Sequence, residues 1–336
     1  MKNSIIVIAE AGVNHNGSIK IAKQLIDAAA NSGADYVKFQ TFKTGNLVTK
    51  KAFLAPYQRS RSPKKNTQFE LLKKLEISFS DHKSLINYAL KRKIGFLTTA
   101  FDYESLNFIS KLGLDYIKIP SGEITNLSYL RFAAKSGKKI LLSTGMSNLN
   151  EIRDAIKVLQ INKVSKKNII ILHCSSEYPL PLKNVNLKAM ITIKEKFGIN
   201  IGYSDHSEGI IVPISAVSMG AIVIEKHLTL SKKMKGPDHA SSIEPKLFKK
   251  MVESIREVET ILGSGVKKPS KTELENLKAV RKYIVANKEI KKGDKFNISS
   301  LNFKRTGKKG ISPMIIDKII NKKAKKDFKK DDLITI

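Results

Sequence analysis

Eight short runs of aliphatic and β-branched residues follow one another between Ser4 and His227: "SIIVIAE", "DYVKFQ", "IGFLTT", "DYIKIP", "KKILLST", "NIIILHC", "INIGYS" and "AIVIEKH". Each is too short for a helix and lacks the polar alternation of a strand with one wet face, so each reads as a strand buried on both sides. The segments between them have helical period. "SIKIAKQLIDAAANSG" ends on a glycine stop, and "NLNEIRDAIKVLQ" offers Asn148 as its N-cap. Strictly alternating strands and helices require parallel strands with helical crossovers, and eight such units predict a (β/α)8 TIM barrel. An open doubly wound sheet is the other solution, but no G-x-G-x-x-G follows the first strand, so its dinucleotide-binding version is disfavoured.

After the last barrel helix, "PKLFKKMVESIREVETILG", the chain changes character. A Gly/Pro/Ser/Lys stretch reads as a linker. We therefore expect a barrel over residues 1–265, a linker over 266–278 and a small β-rich domain over 279–336. In the last of these, "EIKKGD" and "DFKKDD" look like a weak internal duplication.

The formal charge of +31 suggests a polyanion as partner at first sight. The lysines are spread over the whole chain, however. Residues 267–336 hold 21 Lys and Arg against 8 Asp and Glu, yet they carry no run of interleaved aromatics for base stacking. Nucleic acid is therefore not expected as a partner; compositional bias or steering of an anionic substrate explains the charge better. The single cysteine, Cys174, fits a reducing compartment. No signal-peptide pattern and no apolar run near the roughly 20 residues of a membrane span occurs, so a cytoplasmic protein without membrane association is expected.

In a barrel of this kind chemistry gathers at the C-terminal ends of the strands. Those ends carry Glu10; Lys38 and Gln40; Thr99; Lys118, Ser121 and Glu123; Ser143; the "HCSSEYP" segment; Ser204 and His206; and Glu225 and His227. One strand-end Ser or Thr is usually a turn or helix cap, but so many together point to a site. Lys38 and Lys118 lie inside buried strands, which is costly unless each meets an anion. With the hydroxyls of Thr99, Ser121, Ser143 and Ser204 they form a cradle for a phosphate and a carboxylate, unless they instead pair with Glu10 or Glu123. His206 and His227 end consecutive strands and should lie side by side, as a divalent first-row metal requires. Asp205 could orient a ring or cap a turn. The loop "KGPDHASSIEP" after the eighth strand presents Asp238 as an acceptor for a sugar hydroxyl.

"IAEAGVNHNGS", "ADYVKFQTF", "YIKIPSGEITN", "LSTGMS", "LHCSSEYP", "GYSDHSEG", "EKHLTL" and "GPDHASSIEP", in this order, resemble the bacterial sialic acid synthase family over essentially the whole chain. "KRTGKKGISP" resembles that family's antifreeze-like (SAF) module. The resemblance implies a metal-dependent transferase that condenses phosphoenolpyruvate with an N-acetylated hexosamine and water. N-acetylmannosamine, giving N-acetylneuraminate and phosphate, is the first expectation. A legionaminic or pseudaminic acid synthase using a 2,4-diacetamido-2,4,6-trideoxyhexose is the alternative, and a non-catalytic basic binding protein on the same fold is a third.

By the same resemblance Lys38, Thr99, Lys118, Ser121, Ser143, Ser176 and Ser204 bind phosphoenolpyruvate. His206 and His227 hold Mn2+, with Mg2+ or Co2+ as substitutes. Glu10, Gln40, Glu123, Tyr178 and Asp238 surround the sugar or the reacting centre, with Glu10 and Glu123 as the catalytic carboxylates. Arg305 is an arginine that reaches into a partner's barrel, which implies a domain-swapped homodimer. Two departures from the pattern, Ser176 in place of asparagine and Thr306 in place of proline, bear on one phosphate contact and on the loop that carries Arg305.

Overall fold

A computed structural model describes residues 5–54 and 67–336. Ser4, at the start of the first apolar run, lies outside the described residues. All eight runs are strands: β1 (Ile6–Gly12), β2 (Tyr36–Thr41), β3 (Gly95–Ala100), β4 (Tyr116–Ile119), β5 (Lys139–Ser143), β6 (Ile169–His173), β7 (Asn200–Asp205) and β8 (Val223–His227). They pair in sequence order, every pair parallel, and β8 closes on β1 through Ile6–Val223 to Glu10–His227. The fold is the TIM barrel that the alternation predicts.

Strand alternation divides the apolar residues between two cores. Val7, Ala9, Val37, Phe39, Ile117 and Ile171 belong to the large core that includes the surrounding helices. Ile8, Leu97, Tyr116, Leu141, Ile170, Leu172 and Val223 form a separate cluster that fills the barrel. Two residues further along each strand the inward series turns polar: Ile8 is followed by Glu10, Leu97 by Thr99, Tyr116 by Lys118, Leu141 by Ser143 and Val223 by Glu225. Gly202 occupies an inward position of β7 because a Cβ there would come within 2.6 Å of Leu172 and of the Val223 carbonyl. The packed floor and the polar mouth are thus written in one parity of the sequence.

Local signals set the helices. Asn148 caps Leu149–Ile161, accepting from the amides of Asn150 and Glu151, and Glu151 returns the bond to the Asn148 amide. Pro245 starts the helix Pro245–Ile261, where its missing N–H costs nothing.

The chain divides into two compact units, Met1–Gly263 and Ser264–Ile336. A helix, Lys271–Val280, begins within the stretch read from sequence as a linker and runs past its end; Ser270 and Glu273 start it with a reciprocal capping box. In the second unit β9 (Lys282–Ala286) pairs antiparallel with β10 (Leu301–Arg305). The suspected duplication is visible in the backbone. Ile290 and Phe328 bridge each other. The Lys291 amide donates to Asp294 and the Lys329 amide to Asp332, closing two equivalent turns. Among the described residues no helix is long and apolar enough to cross a membrane.

The loop after β1 pins the loop after β8. Asn14 Nδ2 donates to the Leu228 carbonyl and to Ser242 Oγ, both at 2.9 Å, and Asn16 Nδ2 donates to the Lys235 carbonyl at 2.9 Å. With that amide nitrogen committed, Asn16 Oδ1 accepts from His239 Nε2 at 3.2 Å. Burial, then the neighbouring His82 and His239, push His15 down to about 3, and burial pushes His239 down to about 4. The unfolded chain therefore takes up these protons first as the pH falls below about 6.5, and stability is lost progressively from there towards pH 4. The melting temperature is expected to drop between pH 7.5 and pH 5, with a shallower drop in His15→Gln; an unchanged melting temperature over that range would contradict this.

Candidate active site

The polar strand ends surround a cavity of about 320 Å3. Glu10, Lys38, Gln40, Thr99, Lys118, Ser121, Ser143, Ser176, Tyr178, Ser204, His206, His227 and Asp238 all line it. Thirteen positions spread over the barrel sequence thus converge on one space.

Its floor is a charge network. Lys38 and Lys118 are 2% and 4% exposed. Lys38 Nζ lies 2.7 Å from Glu10 and 3.6 Å from Glu225, and it donates to Thr99 Oγ1 at 2.9 Å. Lys118 Nζ lies 3.3 Å from Glu225, which also accepts from Ser204 Oγ at 2.9 Å. Burial pushes the Glu10 carboxyl up to about 7, against the pull of Lys38. Burial acts on Glu225 in the same direction, but Lys118 and Lys38 outweigh it and hold that carboxyl low. Burial pulls Lys118 below its ordinary value, only partly opposed by Glu225. The floor therefore has one firmly ionised carboxylate and one that exchanges a proton near neutral pH.

Above the floor stand unsatisfied hydroxyls and close backbone. Ser143 Oγ is buried with no hydrogen-bond partner among the described residues. Ser121 Oγ accepts from the Gly145 amide at 3.0 Å, and a Cβ on Gly145 would fall 2.5 Å from Ser176 Oγ and 2.8 Å from Ser121 Oγ. Only glycine lets these two serines approach that turn together.

His206 and His227 are neighbours, with ring centroids 5.5 Å apart and Tyr178 against both. His206 Nδ1 faces the Ser175 carbonyl, which can only accept, so the proton sits on Nδ1 and the Nε2 lone pair is free. His227 Nδ1 is buried with no hydrogen-bond partner among the described residues. Burial lowers both rings, His227 strongly, so both are neutral at pH 7 and available as ligands. Among the described residues no third His, Cys, Asp or Glu completes a cluster with them. The pair fits a divalent ion that keeps its other positions for water and substrate.

One expected residue lines another cavity. Glu123 lines an adjacent cavity with Asp102, Tyr103, Glu104 and Tyr129, and accepts from Asn126 Nδ2 at 2.7 Å. Arg305 ends β10 in the second unit and is exposed. Asp205 points away from the cavity: it pairs with buried Lys226 and accepts from the Ser207 amide and hydroxyl. This outward pair ties together the two strands that carry the histidines. Glu225 is the strand-end residue to which sequence reading gave no role. Its position, two before His227 on an inward parity, was the available signal.

Residues 25–267 match the NeuB family and residues 281–336 the SAF domain. The chain belongs to the NeuB family. It is an enzyme, a phosphoenolpyruvate-condensing nonulosonate synthase of the transferase class. It is 50% identical to the N,N'-diacetyllegionaminic acid synthase of Campylobacter jejuni, covering 99% of each chain. Against the enzyme of the same name from Legionella pneumophila identity is 47%, over 94% of this chain and 88% of that one. The crystal structure of N-acetylneuraminic acid synthetase from Leptospira borgpetersenii superposes with a TM-score of 0.72 at 35% identity, covering 82% of this chain and 90% of that one.

Proposed function

We propose that this NeuB-family enzyme is an N,N'-diacetyllegionaminic acid synthase, which condenses phosphoenolpyruvate with a 2,4-diacetamido-2,4,6-trideoxyhexose and water. The supporting observation is 50% identity over 99% of both chains with a synthase of that name, against 35% for the sialic acid synthetase structure. This reverses the order of preference reached from sequence, where N-acetylmannosamine came first. The motifs shared across the family serve the phosphoenolpyruvate half of the reaction and do not separate the sugars.

The site's own chemistry supports the reaction. Lys38 and Lys118, with Thr99, Ser121, Ser143, Ser176 and Ser204, receive the phosphate and carboxylate of phosphoenolpyruvate; these anions take over lysines that otherwise face Glu10 and Glu225. When bound on His206 and His227, a divalent ion, Mn2+ foremost, supplies Lewis acidity to the aldehyde oxygen of the open-chain sugar. Gln40, Tyr178 and Asp238 orient that sugar. The enol methylene carbon bonds to the aldehyde carbon, water adds to the former enol carbon, and phosphate leaves by cleavage of the carbon–oxygen bond. Glu10, with its carboxyl near 7, is the group that takes the proton of the attacking water; Glu123 lines the neighbouring cavity and does not reach it. A homodimer in which Arg305 serves the partner's barrel belongs to the same reading.

Product analysis tests this. Phosphoenolpyruvate carrying 18O in the bridging position should give labelled phosphate and a nine-carbon keto acid with two acetamido groups. Unlabelled phosphate would overturn the cleavage, and a product with a single acetamido group the sugar assignment.

A further inference from the structure

The cavity has two unlike ends. The histidines and the Glu225 carboxylate come from β7 and β8, while the side formed beyond the ends of β2 and β3 is apolar. In a closed barrel ordered β1 to β8, β3 stands across from β7. Phe42 follows β2, Phe101 follows β3, Leu47 and Val48 close the short helix Thr44–Leu47, and Leu72 and Leu75 come from the helix Gln68–Lys73 and its exit. These six side chains pack on one another in a cluster separate from both barrel cores, and all six line the cavity. Phe42, Leu72 and Leu75 are nearly buried, while Leu47, Val48 and Phe101 are half-buried. Gln68, one turn before Leu72, lines the same end.

We infer that this wall selects the sugar: it favours a methyl at C6 and an acetamido group at C4 over free hydroxyls at those carbons. The inference rests on the synthase reading above. The aldehyde carbon must lie beside the histidines of β7 and β8, so the far carbons of the chain extend across the mouth towards the segments beyond β2 and β3. A hydroxymethyl group placed against Phe42, Leu47 and Val48 gives up water and finds no partner, whereas a methyl group loses nothing. Gln68 offers one donor and one acceptor, the pair an acetamido group needs. A pocket of this kind discriminates by about tenfold or more per altered group.

The test compares kcat/KM for 2,4-diacetamido-2,4,6-trideoxymannose and for N-acetylmannosamine at saturating phosphoenolpyruvate and Mn2+, in the full-length protein and in Val48→Thr and Leu47→Asn. Val48→Thr keeps the side chain's shape and Leu47 is half-exposed, so neither change threatens the fold. The unaltered protein should favour the diacetamido sugar by at least about tenfold, and each variant should reduce that ratio by about tenfold. A preference that persists unchanged in both variants overturns the role of the wall and leaves the synthase reading intact. Preference of the unaltered protein for N-acetylmannosamine, or no turnover of either sugar, overturns both.

Discussion

Lys118→Met is expected to lower kcat/KM for phosphoenolpyruvate by about 10²- to 10³-fold and to lower the melting temperature as well. The lysine is held at a cost, yet Glu225 depends on it. Lys118 is 4% exposed, burial pulls its proton affinity down, and its ion-pair partner, Glu225, has Lys38 as a second cation 3.6 Å away. Methionine fills the same volume but removes only one partner of the ion pair, and a buried Glu225 left with Lys38 alone is destabilising. What is lost is the cation that meets the incoming anion. Steady-state kinetics and a thermal melt of the same preparation check both halves; unchanged kinetics would remove Lys118 from the binding site.

His206→Ala should abolish turnover, by about 10³-fold or more, while the circular dichroism spectrum and melting temperature stay close to those of the unaltered protein. Among the described residues the ring hydrogen-bonds only to the Ser175 carbonyl, and its removal opens space into an existing cavity. Calorimetric titration with Mn2+ provides a readout independent of activity: binding should be seen in the unaltered protein and lost in the variant. EDTA should silence the unaltered protein, and near-normal rates in metal-depleted buffer would remove the metal from the account.

The barrel was legible in the sequence because a parallel sheet buried on both faces leaves a signature no other element shares: short apolar runs separated by helix-period segments. The site was legible for a related reason. Lys38, Lys118, His206 and Glu10 stand where the inward parity of a strand turns from apolar to polar, and a buried charge is conspicuous against aliphatic neighbours. Pairing was harder to read. The lysines' partners proved to be Glu10 and Glu225, and Glu225 is brought to them by closure of the barrel between the fourth and eighth strands' inner faces, a relation no local pattern records. Glu123 follows β4 closely, yet the turn of Ser121–Glu123 carries it to the neighbouring cavity. The sugar-facing wall was not legible because Leu47, Val48 and Leu72 look like ordinary helix-core residues until the fold places them over the mouth. The linker was misleading in the same way: its Pro, Ser and Lys content hid a capping box that starts a helix at Lys271.

The central claim is most directly tested by phosphate release from phosphoenolpyruvate with purified protein and Mn2+, given each sugar in turn. The account predicts release that requires both substrates, is strongest with the 2,4-diacetamido-2,4,6-trideoxyhexose and stops with EDTA. Release that is as fast with N-acetylmannosamine, or absent with every sugar, would contradict it.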